Sequence, residues 1–521
     1  MYSLTDNALG QQLSQYLSSL PKTYDWYTVG TGLAAVYAAS KVAKAVYNLY
    51  LSPLASIPGP RFAAVSDWWL EWNALNFRRT PSIHEAFLKY GPIVRIGPTK
   101  VALANAEDVH EIYRTHEYRK SPWYRFFTFG GQSNMVHTKD PALHNLLRRC
   151  SAPAFRGDSL RAASAGLGEE MQDVVTRIKR DTADGSAIDV LHFFRLISLD
   201  VLGITVLGTR FDQMKTGQNH PVTEYLDDWF LDKAIANYLP PIAYNALKLV
   251  PSKKIQRIFT GDANMVNMAG QLYDSSSGNP EDGDVISLCK SYKDPATGQG
   301  ISRGQVIGEV ATFLGAGTDP TSVALAYIAY NIARDETFAK ELRAELAMLP
   351  DHVIYDIDVL KELPYLNAYI KEVMRVHGPA PTFFERIVPE QGAYLSGHFL
   401  PGGTIVGGQS WTSHRDPKLF PEPMKIDPGR WIERTATGWK NREDVSPEMQ
   451  AAYFPFMQGI RACAGRPLAE MEIILVTSTL VRNFRIKLDE KTTPESMAPR
   501  DLAVVGPAAQ RCLLHFEHNP L

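Results

Sequence analysis

The stretch "FPFMQGIRACAGRPLAEMEI", residues 454–473, decides how this chain is read. It holds one cysteine, Cys463, set among small and basic residues and followed at once by a helix-like run with Pro467 in its first turn, where proline's missing N–H costs nothing. A thiolate that binds a metal must be deprotonated and open to close approach. A helix N-terminus lowers a thiol's pKa and offers free N–H groups to the sulfur. Gly459 and Gly465 let the backbone turn tightly near a planar ligand, Arg461 stands where it can pair with a carboxylate on that ligand, and Phe456 where it can pack beside it. At average residue frequencies the fixed spacing Phe456-x-x-Gly459-x-Arg461-x-Cys463-x-Gly465 arises by chance in about one in tens of thousands of chains this long. The competing reading is the common fate of a cysteine, a small buried hydrophobe.

The rest of the composition is that of an ordinary globular protein: 521 residues, 45% hydrophobic, 21% charged, net charge −2. No basic excess points to nucleic acid, and no charge run suggests a solvating tail. Cys150, Cys289, Cys463 and Cys512 are far apart with no CxxC pair, a pattern that excludes a disulfide framework or structural zinc site and fits a reducing compartment.

Residues 1–51 read as an N-terminal segment with a membrane anchor over about 26–51. The run from Trp26 to Ser40 carries no charge, Lys41 and Lys44 are placed to snorkel to one interface, and Tyr24, Trp26, Tyr27, Tyr47 and Tyr50 form interfacial belts at the two ends. An amphipathic surface helix or a core helix are the alternatives. Lys41, Lys44 and Arg61 follow the span, which puts the body of the protein on the cytoplasmic side. A proline-rich hinge, 52–62, contains Pro53, Pro58 and Pro60 and stiffens the exit. Residues 63–521 then read as one large, mostly helical domain with small sheets. Two short strands are expected at Ile93–Ile96 and Lys100–Ala104, helices from about 140 to 350, and β-like pieces around 380–410.

One helix stands out. "SRGQVIGEVATFLGAGTDPTSVALAYIAYNIARD" opens on Ser302-x-x-Gln305, a capping box, and stays apolar nearly all round for a length of roughly 45 Å, so it should cross the core. Gly315, Gly317 and Pro320 are poor residues for its interior. They mark either a kink, with the option of two shorter helices, or a groove where a ligand lies close to backbone.

The pattern around Cys463 is similar, without a mismatch, to the heme-ligating signature of the cytochrome P450 family, F-x-x-G-x-R-x-C-x-G. The resemblance implies that family's mainly α fold with small β-sheets (α+β) and a heme b whose iron takes Cys463 as axial ligand, the kind of thiolate ligation that favours O–O cleavage. It extends over roughly residues 50 to 485, with no residue-specific match from 210 to 280. Glu372 and Arg375 resemble the family's ExxR and, with Arg430, its buried ion network; helical periodicity alone would place Glu372 and Arg375 on an exposed face. "HNLLRRC" resembles the helix that supplies His144 and Arg148 to the heme carboxylates, with Arg149 as the alternative to Arg148. Arg386 resembles the arginine that reaches a propionate from the strand after ExxR.

The resemblance departs at one place. Where the family has [A/G]-G-x-[D/E]-T-[T/S], this chain has Ala316, Gly317, Thr318, Asp319, Pro320 and Thr321. Proline replaces the threonine whose hydroxyl helps deliver protons during oxygen activation, and Thr321 stands about 100° further round the helix. Two readings follow: a monooxygenase with another proton route, or heme-thiolate isomerase or cyclase chemistry that needs less proton delivery. A non-catalytic heme protein is the rival from another class. By resemblance the pocket above the heme is lined by Trp123, Phe126, Thr312, Phe313, Pro381, Thr382 and Val505, which suits a bulky apolar substrate of the kind made in fungal secondary metabolism. With about fifty residues after Cys463, no flavin domain follows it in this sequence. NADPH is then used indirectly, through a separate cytochrome P450 reductase, with cytochrome b5 as an optional second partner, at the endoplasmic reticulum membrane.

Overall fold

The computed structural model describes residues 26–295, 297–436, 438–502 and 504–521. Tyr24 and the remainder of the first 25 residues of the expected N-terminal segment lie outside the described residues. The described chain begins with α1 (Trp26–Val46), which passes through one π-type turn, Tyr47–Leu51, and is exposed over most of its length. The segment is pinned at its end: Arg95 Nη1 donates to the carbonyl of Asn48 at 2.6 Å. Helices α2 (Trp68–Leu75) and α3 (Arg79–Tyr90) lead into strands β1 (Ile93–Gly97), β2 (Lys100–Leu103) and β3 (Arg119–Lys120). The main helices that follow and bear on the site are α4 (Pro141–Ser151), α5 (Val190–Leu202), α6 (Val222–Tyr238), α7 (Val285–Ser291), α8 (Arg303–Arg334) and α9 (Pro364–His377). Strands β4 (Arg386–Ile387) and β5 (Ile405–Gly407), helix α10 (Arg466–Asn483) and the hairpin β6 (Pro499–Leu502) and β7 (Val504–Pro507) complete the frame around it.

Helix α8 runs unbroken through Pro320 and is the axis of the core. Its first turn is closed as the sequence expects: Ser302 Oγ accepts from Gln305 N–H, and Gln305 Oε1 accepts from Ser302 N–H at 3.2 Å. Being apolar all round, it is packed by α5, α10 and α9, and the largest hydrophobic cluster joins residues of all four. The five-stranded sheet has the order β1-β2-β5-β4-β3, with β2 and β5 parallel and the other pairs antiparallel. In its last pair Lys120 stands directly opposite Arg386.

One helical stretch among the described residues, Val190–Leu207, is long and apolar enough by composition to cross a membrane, and 78% of it is buried in the core. Helix α1, with Lys41 and Lys44, falls short of that mark.

Candidate active site

The loop before α10 is built around the sulfur. Cys463 N–H donates to the carbonyl of Phe456 at 3.0 Å and Ala462 N–H to that of Gly459 at 3.1 Å, while Met457 and Gly459 take left-handed backbone angles, φ 60° and 72°. Gly459 cannot be replaced: a Cβ there would sit 2.2 Å from the carbonyl oxygen of Tyr113. Gly465 is under no such constraint: its conformation suits any residue, and a Cβ would rest in ordinary contact with Cys463 Sγ at 4.0 Å and Phe155 at 3.8 Å.

The thiol is accessible, yet desolvation by the surrounding protein is the largest influence on its pKa and pushes it up. The two facts agree if the sulfur faces an interior slot instead of bulk water. The N–H groups of Gly465 and Arg466 and the charges of Arg148 and Arg466 oppose the upward shift without overcoming it. The helix terminus therefore works as the sequence suggests, but burial outweighs it in the free thiol.

The opposite wall of the slot is α8. Thr312, Phe313, Ala316, Pro320 and Val323 lie on one stripe by helical spacing. Residues 306–315 and 321–332 are buried, but Ala316 is exposed and Gly317, Asp319 and Pro320 are half-buried. Phe313 packs on Phe155, ring centroids 5.4 Å apart, and Phe155 borders Gly465, so the stripe looks towards Cys463. Trp123, Phe126, Phe127 and Phe129 build a wall with Trp229 of α6, which stacks on Phe129 at 4.4 Å and meets Phe126 at 5.8 Å. Pro381, Thr382 and Val505 are buried on the β side: Pro381 O accepts from Trp411 N–H at 3.2 Å, Thr382 Oγ1 from Thr80 at 3.2 Å, and Val505 N–H bonds Pro379 O at 2.8 Å. Asp319 is committed to Arg195, whose Nε lies 2.8 Å from it and which also holds Asp227 of α6 at 2.8 Å; burial raises the Asp319 pKa and the Arg195 charge resists it.

Beside the slot lies a cluster of buried cations. Lys120 Nζ donates to the carbonyls of Met135 and Val136 at 3.1 and 2.6 Å. Arg386 Nη1 donates to Tyr124 Oη at 2.6 Å, and Arg461 Nη1 to Thr138 O at 3.2 Å. Burial, then mutual repulsion, lowers the Lys120 pKa well below the usual lysine range and that of Arg461 to about 10. Of the nearby acids, Glu385 takes Ser121 and Arg79 at 2.5 and 3.0 Å and Asp140 caps α4 by accepting from Ala142 N–H, whereas Glu309 accepts from Met135 N–H through Oε1, leaves Oε2 unpaired, and is lifted by burial to about 8. Like charges directly opposite on paired strands are destabilising, and an anion between Lys120 and Arg386 would relieve their repulsion. A planar group carrying two carboxylates, with a metal at its centre facing Cys463, fits this slot.

His144 lies next to the cluster, buried, edge-on to His116 at 5.7 Å, its pKa lowered by burial to about 3. Arg148 turns inward and donates to Ala462 O at 2.8 Å, whereas Arg149 turns outward to Asp294 at 3.1 Å. Periodicity misplaces Glu372 and Arg375. Both are fully buried and joined by two bonds of 2.8 and 2.9 Å. The glutamate also accepts from Trp431 Nε1 at 2.9 Å and Asp427 N–H at 3.0 Å, and Arg430 Nε lies 3.4 Å from it. Arg375 spends its other donors on the carbonyls of His414, Pro423 and Lys425 at 2.6 to 2.8 Å.

The profile of the family described as Cytochrome P450 matches residues 63–513. The chain belongs to the cytochrome P450 family. It is similar to cytochrome P450 monooxygenase aflV of Aspergillus parasiticus, 28% identical over 98% of this chain and 100% of that protein, and to tryprostatin B 6-hydroxylase of Aspergillus fumigatus, 28% identical over 85% and 77%. A crystal structure of a cytochrome P450 (CYP102L1) shares the fold, with TM-score 0.70, 17% identity, and coverage of 86% of this chain and 99% of the other. As a member of this family it is a heme-thiolate monooxygenase, served by NADPH through a reductase. Lys120, Phe155 and Trp229 border this slot, and no cytochrome P450 motif announces them. A lone lysine gives no signal in sequence, and Trp229 sits in the stretch without a match.

Proposed function

We propose that Cys463 is the axial ligand of heme, that Arg386, Arg461 and Lys120 hold its propionates with His144 and Arg148 alongside, and that Phe456, Gly459 and Gly465 shape the loop beneath it. Heme held through that sulfur supplies oxygen activation with electrons from the reductase. The chain's own part is to exclude water with the aromatic wall, to present a bulky apolar substrate to the slot between Ala316 and Cys463, and to hold Asp319 in place near it through Arg195. Ala316, Gly317, Asp319, Pro320 and Thr321 form the oxygen-activation region in this reading. Glu372, Arg375 and Arg430 brace the heme-side core. The substrate class follows the curated relatives, a secondary-metabolite intermediate oxidised at one carbon. The observation that carries the reading is an accessible thiol facing an open helix turn beside three basic side chains that repel one another.

The same reading divides the chain into the anchor within 1–51, the hinge 52–62 and one heme domain, 63–521, facing the cytoplasm from the endoplasmic reticulum. Exposed apolar side chains support it: Phe62, Trp68 and Trp72 on one side, Leu239, Ile242 and Leu249 on the other. Glu71 and Arg79 influence the pKa of Tyr238, so the end of α6 lies beside α2 and the two groups share a face.

The test is the carbon monoxide difference spectrum of the reduced protein, repeated with Cys463→Ser. We expect the thiolate-type red-shifted Soret band in the wild type alone. A band that survives the substitution overturns the ligand assignment. Removal of residues 1–51 should shift the protein from the integral to the wash-extractable membrane fraction.

A further inference from the structure

Pro320 leaves one carbonyl of α8 without its helical partner. In a regular helix the N–H of residue 320 would bond the carbonyl of Ala316. Proline has no N–H, and its ring presses on that carbonyl. Ala316 and Pro320 stand one turn apart on the same face, the face that is open at Ala316 while residues 306–315 and 321–332 are buried. Both flanks of this opening are closed. A Cβ on Gly317 would meet Leu202 of α5 at 3.1 Å, and one on Gly315 would meet Leu226 of α6 at 3.1 Å.

Three other polar side chains of the turn are already engaged. Thr318 Oγ1 donates to Leu314 O at 2.7 Å, Ser322 Oγ to Asp319 O at 2.8 Å, and Asp319 accepts from Arg195 Nε at 2.8 Å. The carbonyl of Ala316 is therefore an acceptor left without its helical donor on the open face of α8. When a ligand displaces water from such a group, a ligand with a donor restores the bond and one without it leaves a buried carbonyl unpaired.

We infer that the Ala316 carbonyl is a docking acceptor for substrate, and that this enzyme selects apolar ring systems carrying an O–H or N–H donor near the oxidised carbon. The inference rests on the monooxygenase reading of the Cys463 slot. It assigns Pro320 a positive role: the residue that breaks the family pattern creates the acceptor.

The probes are 2-naphthol and 2-methoxynaphthalene, which differ by one capped donor. Dissociation constants are measured by equilibrium dialysis against the full-length, heme-loaded protein in detergent, for the wild type and Pro320→Ala. Alanine supplies the missing N–H and is a better helix former. The wild type should favour the naphthol over its ether by about fivefold to tenfold, the worth of one hydrogen bond to a neutral acceptor, and Pro320→Ala should bring the ratio to within about twofold. Equal ratios in the two proteins, no preference in the wild type, or no saturable binding of either probe would each overturn the inference. The carbon monoxide spectrum is recorded on the same samples. A wild type without the thiolate band sinks the monooxygenase reading, whereas a normal band with unchanged ratios sinks only the docking role of Ala316.

Discussion

Two buried charge networks lie on either side of the core, and they are built on opposite plans. Around Glu372 the plan is closed: two arginines, an indole N–H and a backbone N–H converge on one carboxylate, and Arg375 gives its remaining donors to three carbonyls. Around Lys120 the plan is open: Lys120, Arg386 and Arg461 repel one another, two of them across a strand pair, and their hydrogen bonds go to carbonyls and a phenol, while the carboxyl that acts on Lys120, Glu309, is held towards its neutral form by burial. A closed network holds chain to chain. An open one holds a place for something of opposite charge. The same residue types thus serve structure in one region and, in the proposed reading, cofactor binding in the other, and the balance of charge tells them apart.

The largest effect should come from breaking the closed network. Glu372→Ala strands Arg375 and Arg430, and a buried pair cut this way costs about 3–5 kcal/mol. We expect loss of soluble, heme-loaded protein, read by the carbon monoxide spectrum and by circular dichroism. Removing one cation from the open network should have two signs. Lys120→Met relieves repulsion in the heme-free chain and raises its melting temperature, yet speeds heme loss to apomyoglobin by about tenfold, as for one charge-assisted hydrogen bond. A change of the same sign in both assays would mean that no anion sits there. Next in size are the neighbouring arginines: Arg148→Ala should weaken heme retention measurably, and Arg149→Ala, which loses one exposed ion pair, should change stability by less than about 1 kcal/mol.

The smallest effect is a slope in pH. Burial lifts the carboxyls of Glu309 and Glu472 from 4.5 to about 8. Between those values the folded state binds more protons than the unfolded one, so stability falls as pH rises through this window. Glu309→Gln should flatten the dependence of melting temperature on pH between pH 4.5 and about 8, and an unaltered slope would show that Glu309 is already ionised.

The sequence carries the closed network as a motif but not its burial. A glutamate and an arginine three apart look the same on a surface helix and in a core, and the apolar stripe of α9 points the wrong way. The Cys463 loop is legible because several positions stand at fixed spacing: Gly459 lies on the Tyr113 carbonyl and Gly465 borders the sulfur. Arg148 and Arg149 differ only by one step of helix rotation, and packing against Ala462 decides between them. Lys120 is invisible in sequence because its partner Arg386 is brought to it by pairing across 266 residues of chain, from 120 to 386. The π-type turns after α1 and α5 and the Trp229 wall have the same origin in long-range packing.

The open cation cluster also bears on how the protein is made. A ligand that binds only the native chain adds its binding energy to folding. Here the nascent chain must bring Lys120, Arg386 and Arg461 together before anything neutralises them. Placed as proposed, heme would act as a folding counter-ion as well as a reagent, and the yield of this protein in a cell should follow heme supply more closely than the abundance of its message.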